Sequence, residues 1–527
     1  MNVVVPPPPK QPGVSIIRIV IIICLGLVIA PALLLALGLA WYFYAPIARS
    51  IADAPMSTQI AWAKTLPSVT DDTIIMGSEF RATRNGMSFV VEHAFSSGRN
   101  ELEEEAAYLR QFGPDGALRW EQRVYSGYDH YQVVPSGLPD GSGAVLTSFD
   151  GETALHWGNV ESPANDDDES GHVEPLETAA SQLVRFDTNG KVLWHAMLDY
   201  ESGIYGTLAA VYPDGAVLVV GNTDGNVSIR ATENYTAMFA EPASAFDTAF
   251  IARFDPQGKP QWIKRLSRAG RAWGNEVFDD GSASFLIDDD DNVWLVRVDA
   301  TGAETVKTRI IQSESDRPAS CYDFGSDGTL IFGSLFRKSM TISPEESSRK
   351  KLATSATESL DFALMRFKPD GTLEWATQLG PVESPVLDVM GNPGFMPDVC
   401  IFDDGSSMVE GILRSSVTFP NNDTTITQRG TKDGLLVAYF DADGNLKSAD
   451  NIAAFSPNSY VSIHNLAEPG KALFYGSISG SGVLTDPTTD TKIPLVESGG
   501  FWEEVTKAPK LATFLTQVNA VPKAQTK

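Results

Sequence analysis

Ile251-Ala252-Arg253-Phe254-Asp255-Pro256-Gln257-Gly258-Lys259-Pro260-Gln261-Trp262 decides the fold. An alternating strand runs into an Asp-Pro-Gln-Gly turn, and a second strand leaves it carrying a tryptophan, which is the pattern of a β-hairpin. The hairpin recurs. Leu183 to Trp194 (LVRFDTNGKVLW) and Leu364 to Trp375 (LMRFKPDGTLEW) are near copies, while Tyr108 to Trp120, Leu295 to Val306 and Val437 to Ser448 are weaker ones. A unit of this size cannot bury its own apolar face, so its recurrence points to stacked repeats around a shared core.

A second signal follows each tryptophan position: a turn glycine opening an apolar strand, at Gly86, Gly141, Gly215, Gly281, Gly328, Gly405 and Gly470. The spacing from Trp62, Trp120, Trp194, Trp262, Val306, Trp375 and Ser448 to these glycines runs from 19 to 30 residues. Each repeat therefore holds four strands, A to D, with short glycine turns between A and B and between C and D. Six complete units run from Thr73 to Asp450, and the carboxyl end supplies only A, B and C strands, the last at Leu511 to Gln517. The absent D strand matches the orphan at Thr58 to Leu66, whose Trp62 aligns with Trp375. The expectation is an all-β chain: a seven-bladed β-propeller of four-stranded antiparallel blades over 58–517. Its amino-terminal strand completes the last blade, which removes two free sheet edges.

The hairpins resemble the bacterial seven-bladed β-propeller repeat family, whose units read DAFxxxFDxxGxxxW followed by xxDGxxxxxG. Asp247 to Trp262, Asp361 to Trp375 and Asp433 to Gly444 carry that pattern most closely. The sequence departs from it at Val306 and Ser448, which implies irregular fourth and sixth blades. Lys191-Val192-Leu193-Trp194 is also similar to the tryptophan motif of pyrroloquinoline-quinone-type propeller repeats, found in quinone-dependent dehydrogenases and in non-enzymatic scaffolds. Those dehydrogenases rely on a vicinal cysteine pair, which this chain lacks. The tryptophans themselves are read as packing one blade against the next.

The formal charge of −27 argues against a nucleic-acid partner, which needs a basic surface. Residues 1–18 form a proline-rich tail, and no charged residue occurs from Ile19 to Ala48. Such a run spans about 45 Å as a helix, enough to cross a bilayer core of about 30 Å. We expect an uncleaved transmembrane signal anchor over 19–45, with Trp41 to Tyr44 at the interface and Lys10 and Arg18 on the cytoplasmic side. A linker (46–57) would follow, the propeller would be extracytoplasmic (periplasmic in a Gram-negative cell), and 518–527 would be a disordered tail.

Candidate sites are sparse. The six histidines show no metal-binding spacing, and no GxSxG, phosphate-binding loop or dinucleotide motif occurs, so no catalytic residue is assigned. Between the A–B and C–D glycines the intervals vary from 21 to 49 residues, so length variation concentrates in the B–C connections. Long connections commonly carry function, which makes that face the expected binding face. Within it lie Asp166, Asp167, Asp168 and Glu169, candidates for a basic partner or cation. Asp288, Asp289, Asp290 and Asp291 fill the tight turn of the fourth blade and form a candidate Ca²⁺ site. Cys321 and Cys400, on A strands of adjacent blades, are a candidate disulfide.

No other cofactor is expected. The functional expectation is a membrane-anchored, non-enzymatic binding or scaffold module that engages a protein or envelope polymer through the loop-rich face. The alternative is a carboxylate-based hydrolase or lyase, Ca²⁺-dependent or not, at the channel mouth. An enzyme should bring Asp, Glu and His side chains together near the axis.

Overall fold

The computed structural model describes residues 56–522, apart from 67–72, 98–101, 127–129, 150–179, 201–203, 224–226, 232–234, 240–247, 290, 314–319, 346–348, 355–359, 383–394, 414–415, 420–423, 428–432, 456–459, 480–481 and 496–510. The expected anchor, the acidic stretch from Asp166 to Glu169, and Asp290 lie outside the described residues. Among the described residues there are strands and no helix, and none is a helix long and apolar enough to cross a membrane.

The strands assemble into antiparallel sheets that follow the repeat. Seven inner strands carry the A role: β2 (Thr73–Ala82), β6 (His130–Gly137), β10 (Ile204–Val211), β16 (Arg271–Val277), β20 (Ser320–Phe324), β26 (Phe395–Ile401) and β32 (Tyr460–Asn465). β2 packs beside β6, β6 beside β10, β10 beside β16, β20 beside β26, β26 beside β32, and β32 beside β2. Between β16 and β20 the contact runs through Trp273 and Tyr322, edge to face with ring centroids 5.2 Å apart. Sheets that face one another through their inner strands in this way form a β-propeller.

β1 (Met56–Thr65) lies beside β36 (Leu511–Pro522), in one sheet with β33 (Lys471–Ser479) and β32. Leu66 donates its amide to the Thr513 carbonyl at 2.9 Å, and Trp62 Nε1 donates to Gln517 Oε1 at 3.1 Å. β36 continues to Pro522, so part of the expected tail is strand.

Among the described residues, four of the seven sheets have six strands, not the expected four. The additional pair is always a hairpin from the long B–C connection of the following repeat. β12 (Val227–Ala231) and β13 (Tyr235–Phe239) add to β9 (Val192–Tyr200), while β22 (Ser339–Ile342) and β23 (Lys350–Ala353) add to β19 (Glu304–Ser313). In the same way β28 (Ser416–Phe419) and β29 (Thr424–Thr427) extend β25 (Leu373–Val382), and β34 (Gly482–Thr485) and β35 (Lys492–Leu495) extend β31 (Leu446–Phe455). These connections are therefore latches, not open loops. The physical reason is twofold: each covers an unpaired outer edge, and each buries apolar side chains between two sheets. Met340, Ile342 and Leu352 enter the core shared with Phe332 and Met365, and Val417 and Phe419 enter that of Leu364 and Phe440.

Two side chains in the hairpin motif tie each sheet to the next. Trp120, Trp194, Trp262 and Trp375 lie against Gly190, Gly258, Gly302 and Gly444 in the following C–D turn. Gly258 has φ 83°, and a Cβ there would meet the Trp194 ring at 2.6 Å, so glycine is required twice over. Each indole N–H also donates to a turn carbonyl, as Trp375 does to Ala442 at 2.8 Å. The second tie is the arginine of the motif. Arg366 Nη1 donates to the carbonyls of Gly405 (3.3 Å) and Ala442 (3.0 Å), and Arg253 Nη1 to those of Gly281 (3.3 Å) and Ala300 (3.2 Å).

Where tryptophan is missing at Val306, β19 still pairs with β18 (Asn292–Val298), with register shifts between Val293 and Trp294 and between Arg297 and Val298. Thr308 lies against Gly371 and donates to the Asp370 carbonyl at 3.1 Å.

Candidate functional site on the inner wall

An inner strand is the edge of its sheet, and its amides need partners from the neighbouring sheet or from water. Side chains supply several of them. Ser136 Oγ accepts from the Val211 amide (3.2 Å), and the Asn222 side chain accepts from the Ala272 amide (2.7 Å) and donates to its carbonyl (3.0 Å). Asp323 Oδ2 accepts from the Ile401 amide at 2.8 Å. Asp398 Oδ2 accepts from the Ile463 amide (3.2 Å) and the Ser462 hydroxyl (2.9 Å). His464 Nε2 lies 3.2 Å from the Phe80 carbonyl. Asp323, Asp398 and His464 thus fasten β20 to β26, β26 to β32 and β32 to β2.

This belt concentrates ionisable groups on one part of the inner wall. Burial pushes the Asp323 carboxyl up to about 7, against the pull of the Ile401 amide and the Arg84 guanidinium. Burial, reinforced by Asp323, pushes Glu276 up to about 7 as well. Glu276 is exposed even so, and its contact with solvent offsets part of the penalty. Asp398 is raised, chiefly by burial. His464 is lowered to about 3 by burial and by Arg81, so its imidazole is neutral. Arg81 and Arg84 are the cations common to the set. Arg84 also pairs with Asp403, whose Oδ1 accepts from Ser326 Oγ at 2.9 Å.

Asp289, singled out in the sequence as part of a cation site, is used otherwise. Asp289 accepts from Asn292 Nδ2 (2.7 Å) and Trp294 Nε1 (3.1 Å), the hydrogen-bond use of a polar turn. Among the described residues no group of three or more His, Cys, Asp or Glu side chains could hold a metal ion.

Cys321 and Cys400 are free, buried thiols, so the disulfide considered for them is not formed. They belong to different layers. Cys321 packs with Leu364 and Val409, and its Sγ turns back to the Gly333 carbonyl at 3.7 Å, whereas Cys400 packs with Phe474 and Phe514 on the other side of β26.

The inner-wall acids went unselected in the sequence because each stands alone in an apolar strand. Register was the available signal: Glu276 and Asp323 both lie five residues before their turn glycines, Gly281 and Gly328.

No protein-family model matches the chain, and neither does any curated protein sequence. Solved structures similar to it include the quinohemoprotein alcohol dehydrogenase from Comamonas testosteroni. That match has 9% identity, covers 87% of this chain and 76% of the other, and has a TM-score of 0.35. The polysaccharide lyase Uly1 has 8% identity over 88% of this chain and 99% of its own, with a TM-score of 0.42. The WD40 β-propeller domain of Doa1 has 12% identity over 67% and 93%, with a TM-score of 0.27. Likenesses at this level bring no activity with them.

Proposed function

We propose that this chain is a seven-bladed β-propeller closed into a ring by β1, and that it acts as a rigid, non-enzymatic binding module of the cell envelope. The circuit of inner-strand contacts and the place of β1 beside β36 support the ring. A helix over 19–45 would hold it at the membrane, with the tail 1–18 cytoplasmic and the propeller outside. The partner would be a protein or envelope polymer, engaged through the face that carries the B–C and D–A connections.

One observation carries the non-enzymatic reading. Asp323 and Asp398 use carboxylate oxygens to fasten backbone amides of the next sheet, and His464 is neutral against a backbone carbonyl. Groups held in this way stiffen a wall. Cross-linking capture with the full-length protein in its own envelope fraction tests the reading. A partner retained by wild type and lost on charge reversal of 166–169 supports it, and capture of nothing above an unrelated membrane protein refutes it.

Glu276 favours a second reading, a carboxylate-based hydrolase or lyase. It faces solvent, beside Asp323, with a carboxyl that titrates near neutrality. Turnover of an envelope polysaccharide that disappears in Glu276→Gln would establish it. Melting with and without a chelator tests Ca²⁺: an unchanged midpoint removes the ion from either reading.

A further inference from the structure

Glu410, on β27 (Ser407–Leu413), is wholly buried, and neither carboxyl oxygen has a hydrogen-bond partner among the described residues. It lies directly across the β26–β27 ladder from Asp398. Side chains so placed share one face of the sheet, with Cβ atoms about 5 Å apart. That face is the one packed on β32 and β33, because Cys400, Met408 and Ile412, in phase with these two acids, join the core of Ile463, Ala472 and Phe474.

Asp398 must be ionised, or at least accept, to hold the Ser462 hydroxyl and the Ile463 amide. A second negative charge opposite it, in an apolar layer and without a donor, is not tolerated. We propose that the Asp398–Glu410 pair holds one proton at neutral pH, and that losing it under alkaline conditions loosens the seam between the β26–β27 sheet and the β32–β33 sheet.

The surroundings give Glu410 no counter-charge. From β26 come Asp398 and Cys400, from β20 Cys321 and Asp323, from β30 (Asp433–Phe440) Tyr439, and from β32 the neutral His464. Arg81 on β2 acts on Asp398 but is not among the influences on Glu410. Burial first, and Asp398 second, raise the Glu410 carboxyl well above its ordinary value.

The direction of the effect follows. The folded protein keeps this proton where the unfolded chain has released it, so stability falls as pH rises from the ordinary glutamate value through the folded one. His464 works in the opposite sense, lowering stability as pH falls below 6.5. The useful interval therefore lies above neutrality, where Glu276 and Asp323 have also ionised, and where the buried Cys321 and Cys400 thiols add a decline common to wild type and variant.

The test melts full-length wild type and Glu410→Gln, which keeps the shape and removes the titration, at about pH 7 and about pH 9. The expected result is a larger fall in the wild-type midpoint than in that of the variant, together with faster amide exchange at 461–465 in wild type alone. Equal falls in the two proteins would overturn the proposal. Should the variant not fold, infrared spectroscopy of wild type decides. A protonated-carboxyl band must persist above the titration of Glu276 and Asp323, and a spectrum with no such band near neutrality also overturns it.

Discussion

Two neighbouring sheets of this protein end differently. The sheet of β16 to β19 is extended by β22 and β23, whereas the sheet of β10, β11, β14 (Thr248–Phe254) and β15 (Pro260–Ala269) stops at β15. The cause lies one repeat further on in each case. The connection after β21 (Leu330–Phe336) is long enough to send a hairpin back over β19, while that between β17 (Ala283–Asp288) and β18 (Asn292–Val298) is a turn around Asp289. A long insertion in this chain is a device for covering the neighbour's edge, and β15 manages without one by carrying Lys264, a common guard of open edges.

That contrast can be broken from the latched side first. Ile342 is completely buried in β22, so Ile342→Ala should cost about 2–5 kcal/mol, read as a lower midpoint in chemical denaturation. Trp375→Ala removes an indole stacked on the next sheet and its bond to Ala442, with an expected loss of about 2–4 kcal/mol. Thr308→Val tests the sheet that lacks the tryptophan. It keeps the shape and deletes one hydrogen bond, for about 1 kcal/mol in the same assay. On the bare edge, Lys264→Ala should change stability by no more than about 0.5 kcal/mol, since its ammonium meets the Thr301 carbonyl (2.6 Å) and the Trp262 ring (5.8 Å to its centroid) at the surface. A larger loss there would mean that β15 is covered after all.

A pH series sharpens a different contrast, between the inner wall and the rim. Glu276 and Asp323 are raised to about 7, whereas rim turn aspartates such as Asp299 and Asp370 are lowered by hydrogen bonds within their turns. The raised pair favours the folded state while protonated, so stability should decline as pH rises from the ordinary carboxylate values to about 7. The lowered aspartates matter only below 3.8, where stability should decline as they protonate. Glu276→Gln should lessen the first decline, leaving the share due to Asp323, and leave the second unchanged.

The strand order was readable from the hairpins because turn glycines and tryptophans recur at fixed register: Gly258, Gly302 and Gly444 are required by the rings that lie on them. The latches were not readable. Ser339-Met340-Thr341-Ile342 is too short a run to be distinguished from an irregular loop, and its pairing partner lies in another repeat. The motif arginines were visible as residues, but their targets in the next sheet were not. For the inner wall, one acid per strand carries no local signal, and only the packing of neighbouring inner strands brings Glu276, Asp323 and Asp398 together.

The central claim is that the first strand completes the last sheet. Trp62→Cys with Gln517→Cys places two thiols where two side chains already meet across β1 and β36. In the full-length protein under mild oxidation, an intramolecular disulfide should form and raise the thermal midpoint. Free thiols, or cross-links only between molecules, would contradict it.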